Sequence, residues 1–264
     1  MQELFFSPAV QLGYILTAVI YFSLPAAAFF ILHKYGAAKI SPVLAGALVY
    51  FLSTRMCDLT VWLGFSSLPM AAKKVAAAEL TAFFEETGRW LAMKYPVFNI
   101  RTSRGAVCYG IGHAGLECFV RGSSTFSIIG EMQHFSERGL SYYTDGRTEE
   151  QAAQITERIS SYADRTLIIS IMDIITIFID FGVHIALTVL IFKKIKEQKS
   201  IRWLGLAILL HYSLNAASYI GTLAGSSLIG EFTVIFAGCG IIMLVWKLCN
   251  GNEVADEVIY GNDE

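Results

Sequence analysis

Charge is what this sequence has least of. Only 16% of its 264 residues are Asp, Glu, Lys or Arg, while 55% are hydrophobic, and the mean hydropathy is +0.53. A soluble domain of this length needs no such apolar excess, so the bilayer is the expected solvent. A basic surplus is missing too. A net charge of -2 and a pI near 6.2 give no broad phosphate-binding surface, and nucleic acid is not an expected partner. The five cysteines, Cys57, Cys108, Cys118, Cys239 and Cys249, form no CxxC pair and read as buried thiols in apolar stretches. Met1-Gln2-Glu3 carries no positive charge ahead of the first apolar run, and that run outlasts a signal peptide, so it reads as a first span. Also absent are a Gly-rich phosphate loop, the soluble His-Glu-x-x-His signature, a serine with an evident histidine partner, and any internal repeat.

What is present is a series of long apolar stretches, each near the roughly 20 helical residues that hydrocarbon requires. They run from about Ala9 to Leu32, Pro42 to Leu68, Met70 to Tyr95, Ala106 to Ile129, Leu167 to Phe192, Trp203 to Leu223 and Leu228 to Leu248. The expectation is an all-α, polytopic transmembrane helix bundle of about seven spans, forming a single membrane domain over 1–264. Span three is poorer in hydrophobicity, because Glu79, Glu85, Glu86 and Arg89 interrupt it, and crosses only if those groups face protein. Residues 131–165 are rich in charge and read as an extramembrane loop with a short helix from Thr148 to Tyr162.

Loop charges orient the chain, since short cytoplasmic loops collect Lys and Arg. Lys34 and Lys39 follow span one, Lys94, Arg101 and Arg104 follow span three, and Lys193, Lys194, Lys196, Lys199 and Arg202 follow span five. The stretch before span one and the Gly225-Ser226-Ser227 connection have none, and Lys73 and Lys74 dissent mildly. The pattern predicts an N-terminus outside and a C-terminus in the cytoplasm of an integral protein in contact with lipid; the expected setting is a bacterial plasma membrane.

Each charge at the centre of a span costs about 2.5 to 3.5 kcal/mol by insertion scales and asks for a reason. Span three holds Glu85-Glu86-x-x-Arg89, in which Arg89 reaches either carboxylate on one helix face, leaving the other for proton work. A structural ion pair at an interfacial helix end fits the same residues. In span four, His113 and Glu117 stack at a four-residue interval that suits metal ligands, or a simple core hydrogen bond. Gly110, Gly112 and Gly115 thin that helix for a close neighbour. Span five contributes Asp173, Asp180 and His184, and span six His211 and Asn215, again four apart, with interhelical hydrogen bonding as the alternative use of Asn215. Three histidines and two glutamates over four consecutive spans point to one polar centre. Imidazole nitrogen with carboxylate oxygen is a donor set that zinc accepts.

In order, Glu85-Glu86-x-x-Arg89, Gly112-His113-x-Gly115-x-Glu117, His184 and His211-x-x-x-Asn215 resemble the motifs of the YhfC family of intramembrane metalloproteases. The resemblance covers spans three to six, and that family is similar to the PrsW proteases and the CAAX prenyl protease and bacteriocin-processing family. It implies that Glu85 or Glu86 activates the attacking water while Arg89 holds the pair. His113, His184 and His211 would surround a divalent metal, zinc by donor type, or the water itself, with Glu117 and Asn215 completing or orienting that shell. Asn215 departs from the His-x-x-x-Asp variant of related families. The implied reaction is hydrolysis of a peptide bond in a membrane-embedded or membrane-anchored protein or peptide. The competing expectation, from the residues alone, is a proton- or ion-coupled transporter in which Glu79, Asp173, Asp180 and the histidines form a relay.

Overall fold

In the computed structural model, residues 6–95, 100, 102–195 and 200–250 are described. Among them the chain is all-helical: α1 (Pro8–Lys34), α2 (Ile40–Gly64), α3 (Met70–Lys94), α4 (Ser103–Thr144), α5 (Glu149–Ala163), α6 (Leu167–Lys194), α7 (Ser200–Ala224) and α8 (Ser227–Asn250). Arg101, Lys196, Lys199 and both chain ends, on which part of the charge reading falls, lie outside the described residues.

Local chemistry marks the helix starts. Ser7 caps α1 by accepting from the Val10 amide at 3.3 Å, with Pro8 in the first turn, where a missing N–H costs nothing. Thr102 caps α4 through the Gly105 amide at 3.0 Å, and Thr166 caps α6 through Ile169 at 3.3 Å. Thr148 and Gln151 form a reciprocal capping box at α5.

The seven long helices coincide with the seven apolar stretches. Five of them, α1, α2, α6, α7 and α8, are long and apolar enough to cross a membrane by length and composition. The other two, α3 and α4, carry charges that lower their apolarity, and the fold buries four of them, Glu85, Glu86, Arg89 and Glu117. Outward faces show the reverse: Phe236 is 79% exposed, Trp62 69% and Leu209 63%. That inversion is what a lipid solvent selects.

Residues 131–165 depart from a loop with one short helix. The short helix is α5, but α4 also runs on to Thr144, broken at Gly139, where φ is 75°. The extension is held because Met132 and Phe135 of α4 and Ile159 of α5 pack with Phe6, Val10 and Tyr14 at the start of the chain. Apolar residues sparsely spread through a charged segment carry that packing.

At the centre of the bundle α4 packs against α1, α2 and α6, while α6 also meets α8, and α3 lies against α2 and α7. Backbone meets backbone between α2 and α4. A Cβ on Gly112 would run into the Val43 carbonyl, and one on Gly46 into the Tyr109 carbonyl and the His113 amide. The neighbouring glycines face other helices: a Cβ on Gly110 would stand 3.0 Å from Ile185 Cα of α6, and one on Gly115 3.1 Å from Pro25 Cβ of α1. Three helices therefore close on the turn of α4 that carries His113.

Candidate active site

Four helices deliver one buried cluster. Glu85, Glu86 and Arg89 come from α3, His113 and Glu117 from α4, His184 from α6 and His211 from α7, and all seven are buried. Adjacent residues on a helix point about 100° apart, so Glu85 and Glu86 enter different neighbourhoods although they are consecutive.

Glu86 is the held carboxylate. One Arg89 guanidinium nitrogen donates to both of its oxygens, at 2.5 and 2.6 Å, and His211 Nδ1 lies 2.9 Å from Oε1. Among the described residues no arginine hydrogen-bonds Glu85. Its Oε2 lies 2.9 Å from His113 Nε2 and 3.9 Å from His184 Nδ1. Arg89 thus selects one of the two glutamates that spacing alone left open.

The ring of His184 is oriented from both sides. The second Arg89 nitrogen is 3.2 Å from His184 Nδ1. A guanidinium can only donate, so Nδ1 presents its lone pair there, and Nε2 carries the hydrogen that meets Glu117 at 2.8 Å. Glu117 is in turn held by Arg121 at 2.6 Å, which also reaches Asp180 at 3.4 Å. The three imidazoles form a row, with ring centroids 5.2 Å apart for His113 and His184 and 5.0 Å for His184 and His211. Tyr50 meets the His113 ring edge-on at 5.3 Å.

Donor atoms of Glu85, His113 and His184 all lie within 4.8 Å of one another. Two nitrogens and one oxygen so placed fit a borderline-soft divalent cation, and His113 Nδ1, buried with no hydrogen-bond partner among the described residues, is a further ring nitrogen. A second close set, Glu117, Asp180 and His184, already has a cation, the Arg121 guanidinium. Among the residues expected from sequence, Glu117 therefore stands behind His184, and His211 behind Glu86, while Glu85, His113 and His184 form the inner group. Asn215 lies to one side: its amide donates to the Ala78 carbonyl of α3 at 2.8 Å. Sequence reasoning missed Arg121, though it falls four residues after Glu117 and the rule that paired Glu85 with Arg89 would have found it. Tyr50 carries no such signal.

Fold and cluster together define a polytopic membrane protein with a carboxylate–imidazole centre enclosed by its own helices. The chain belongs to the YhfC intramembrane metalloprotease family, whose family model matches residues 20–229. A metalloprotease family implies a metal, and the inner group offers the donors for one. Neither the curated proteins nor the solved structures contain a match to the chain.

Proposed function

We propose that the protein hydrolyses a peptide bond of a membrane-embedded or membrane-anchored substrate, with Glu85 as general base. The observation that carries this assignment is the unequal surroundings of the paired glutamates. Glu86 is saturated by Arg89 and His211, whereas Glu85 faces two imidazoles and, among the described residues, accepts no hydrogen bond from an arginine. In the reaction Glu85 takes a proton from water as the water oxygen adds to the acyl carbon. The same carboxyl then returns the proton to the departing amine as the C–N bond breaks.

His113 and His184 would hold a zinc-type cation with Glu85 beside it, His184 through the Nδ1 lone pair that Arg89 otherwise occupies, and the cation would supply Lewis acidity that makes water easier to deprotonate near neutral pH and polarises an acyl oxygen. Glu117 fixes the His184 tautomer through Nε2–H, as carboxylates behind metal-binding histidines do. Glu86, Arg89 and His211 brace Glu85 from the adjacent position, and Asn215 latches α7 to α3. The Lys and Arg of the short loops support an orientation with the N-terminus outside and the C-terminus in the cytoplasm.

The test is metal content and cleavage of a membrane peptide by detergent-purified protein, wild type beside His113→Ala. Bound zinc in the wild type, loss of zinc in the variant, and chelator-sensitive cleavage restored by zinc are the expected results. Undiminished cleavage by metal-free wild type would remove the metal from the proposal, and absence of cleavage by zinc-loaded wild type across membrane peptides would remove the protease.

A further inference from the structure

Hydrolysis consumes one water per bond, and hydrocarbon supplies none. The cluster sits deep: His184 is ten residues from the Lys194 end of α6, about 15 Å at the helical rise. In the other direction α6 carries Asp173, Thr176, Asp180 and His184 at intervals of three or four, so that all four share one face.

Every member of that stripe meets a polar partner on another element. Asp173 is ion-paired with Arg165. Thr176 donates to Glu231 Oε2 of α8 at 2.6 Å. Asp180 meets Arg121 at 3.4 Å, and Arg121 leads through Glu117 to His184. From Asp173 to His184 the stripe covers about 16 Å of helix.

Open space runs beside it. A cavity of about 350 Å³ is bounded by Thr17, Arg121, Thr176, Asp180, Ser218 and Glu231. A second, of about 330 Å³, shares Ser218 and Glu231 with it and extends beneath the α7–α8 turn. The Arg121 side chain is 49% exposed, although its partner Asp180 stands near the midpoint of α6. A guanidinium facing hydrocarbon at such depth costs about 2.5 to 3.5 kcal/mol or more, which favours water on that face. The α7–α8 turn, Gly225-Ser226-Ser227, holds no Lys or Arg, which assigns that end of the bundle to the outer face.

We propose that the two spaces form one water-filled vestibule, open to the outer face at the α7–α8 turn and bounded inside by Arg121, through which water reaches the Glu85–His113–His184 group. The proposal rests on the hydrolase reading for its purpose, but its geometry is testable without any catalytic assay.

Thiols react as thiolates, which form in water and not in hydrocarbon. Ser218→Cys and Thr176→Cys place a thiol in the vestibule, with Thr125→Cys on its α4 wall as a third position. Phe178→Cys on α6 and Ile220→Cys on α7 place one toward lipid, where the native side chains are 49% and 45% exposed. Intact cells and inside-out vesicles are treated with a charged, membrane-impermeant thiol reagent, wild type serving as the blank for the native cysteines. Monodispersity in detergent shows that each variant has folded.

In intact cells the vestibule positions should react at least about tenfold faster than the lipid-facing pair, given the thiolate requirement. Equal rates in the two sets, or reaction of the vestibule positions only in inside-out vesicles, would overturn the proposal. Fast labelling of a zinc-loaded protein that cleaves nothing would leave the vestibule standing and remove the protease, whereas an active protein with no fast-labelling position would do the opposite.

Discussion

The bundle holds two ionic regions, each built from carboxylates and arginine, and they differ in how far the protein encloses them. In the inner cluster, Glu85, Glu86, Arg89 and His113 are at most 2% exposed, and with His184 and His211 they answer one another across four helices. In the outer region, Arg165, Asp173, Arg121 and Asp180 are also paired, yet they border open space and Arg121 is half-exposed. Pairing alone therefore does not mark a reactive centre in a membrane protein. Enclosure is what sets the proposed centre apart, because a low-dielectric site strengthens each interaction.

That contrast can be broken most severely at Glu85. Glu85→Gln removes the proposed base while keeping its size, and kcat for cleavage of a membrane peptide should fall about 10³-fold with the folded protein intact. Wild-type turnover in this variant would erase the distinction between the two glutamates.

Glu86→Gln should act first on stability. It leaves the fully buried Arg89 guanidinium without its carboxylate, a loss of about 3 kcal/mol, read as a lower unfolding temperature in detergent, with cleavage reduced as a consequence. An unchanged unfolding temperature would show that Glu86 is not the brace.

The smallest effect is expected outside both regions, at Asn215. Asn215→Ala forfeits one interhelical hydrogen bond, worth about 0.6 kcal/mol on average in membrane helices, and leaves turnover near wild type. A fall in kcat of about 10²-fold would instead reveal an oxyanion donor, and would return Asn215 to the chemistry.

Helix existence was legible because apolar length is a one-dimensional property: the seven stretches match α1 to α3 and α6 to α8 within a few residues, and α4 at its start but not at its end. Candidate site residues were legible for a different reason: a charge inside an apolar run is costly, and His113, His184, His211, Glu85 and Glu86 each announced that cost. Sequence spacing shows which residues share a face of one helix, but not how that helix is rotated against its neighbours. Hence it could not say that Arg89 turns to Glu86, that Glu117 lies behind His184, or that Asn215 reaches the Ala78 carbonyl. Arg121 is hidden by its partner, since in sequence Glu117 pairs as readily with His113. The helical extension over residues 131–144 was obscured by charge, although its few apolar positions are the ones that pack.

The contact between α2 and α4 at Gly46 and Gly112 has a consequence for how this molecule can fail. Neither glycine touches a reacting group, yet any side chain at either one must wedge the two helices apart beside His113 and carry its imidazole away from Glu85. A random screen for inactive but well-inserted protein should therefore recover substitutions at these two positions alongside the acidic and imidazole ones, disguised as harmless changes in a hydrophobic helix.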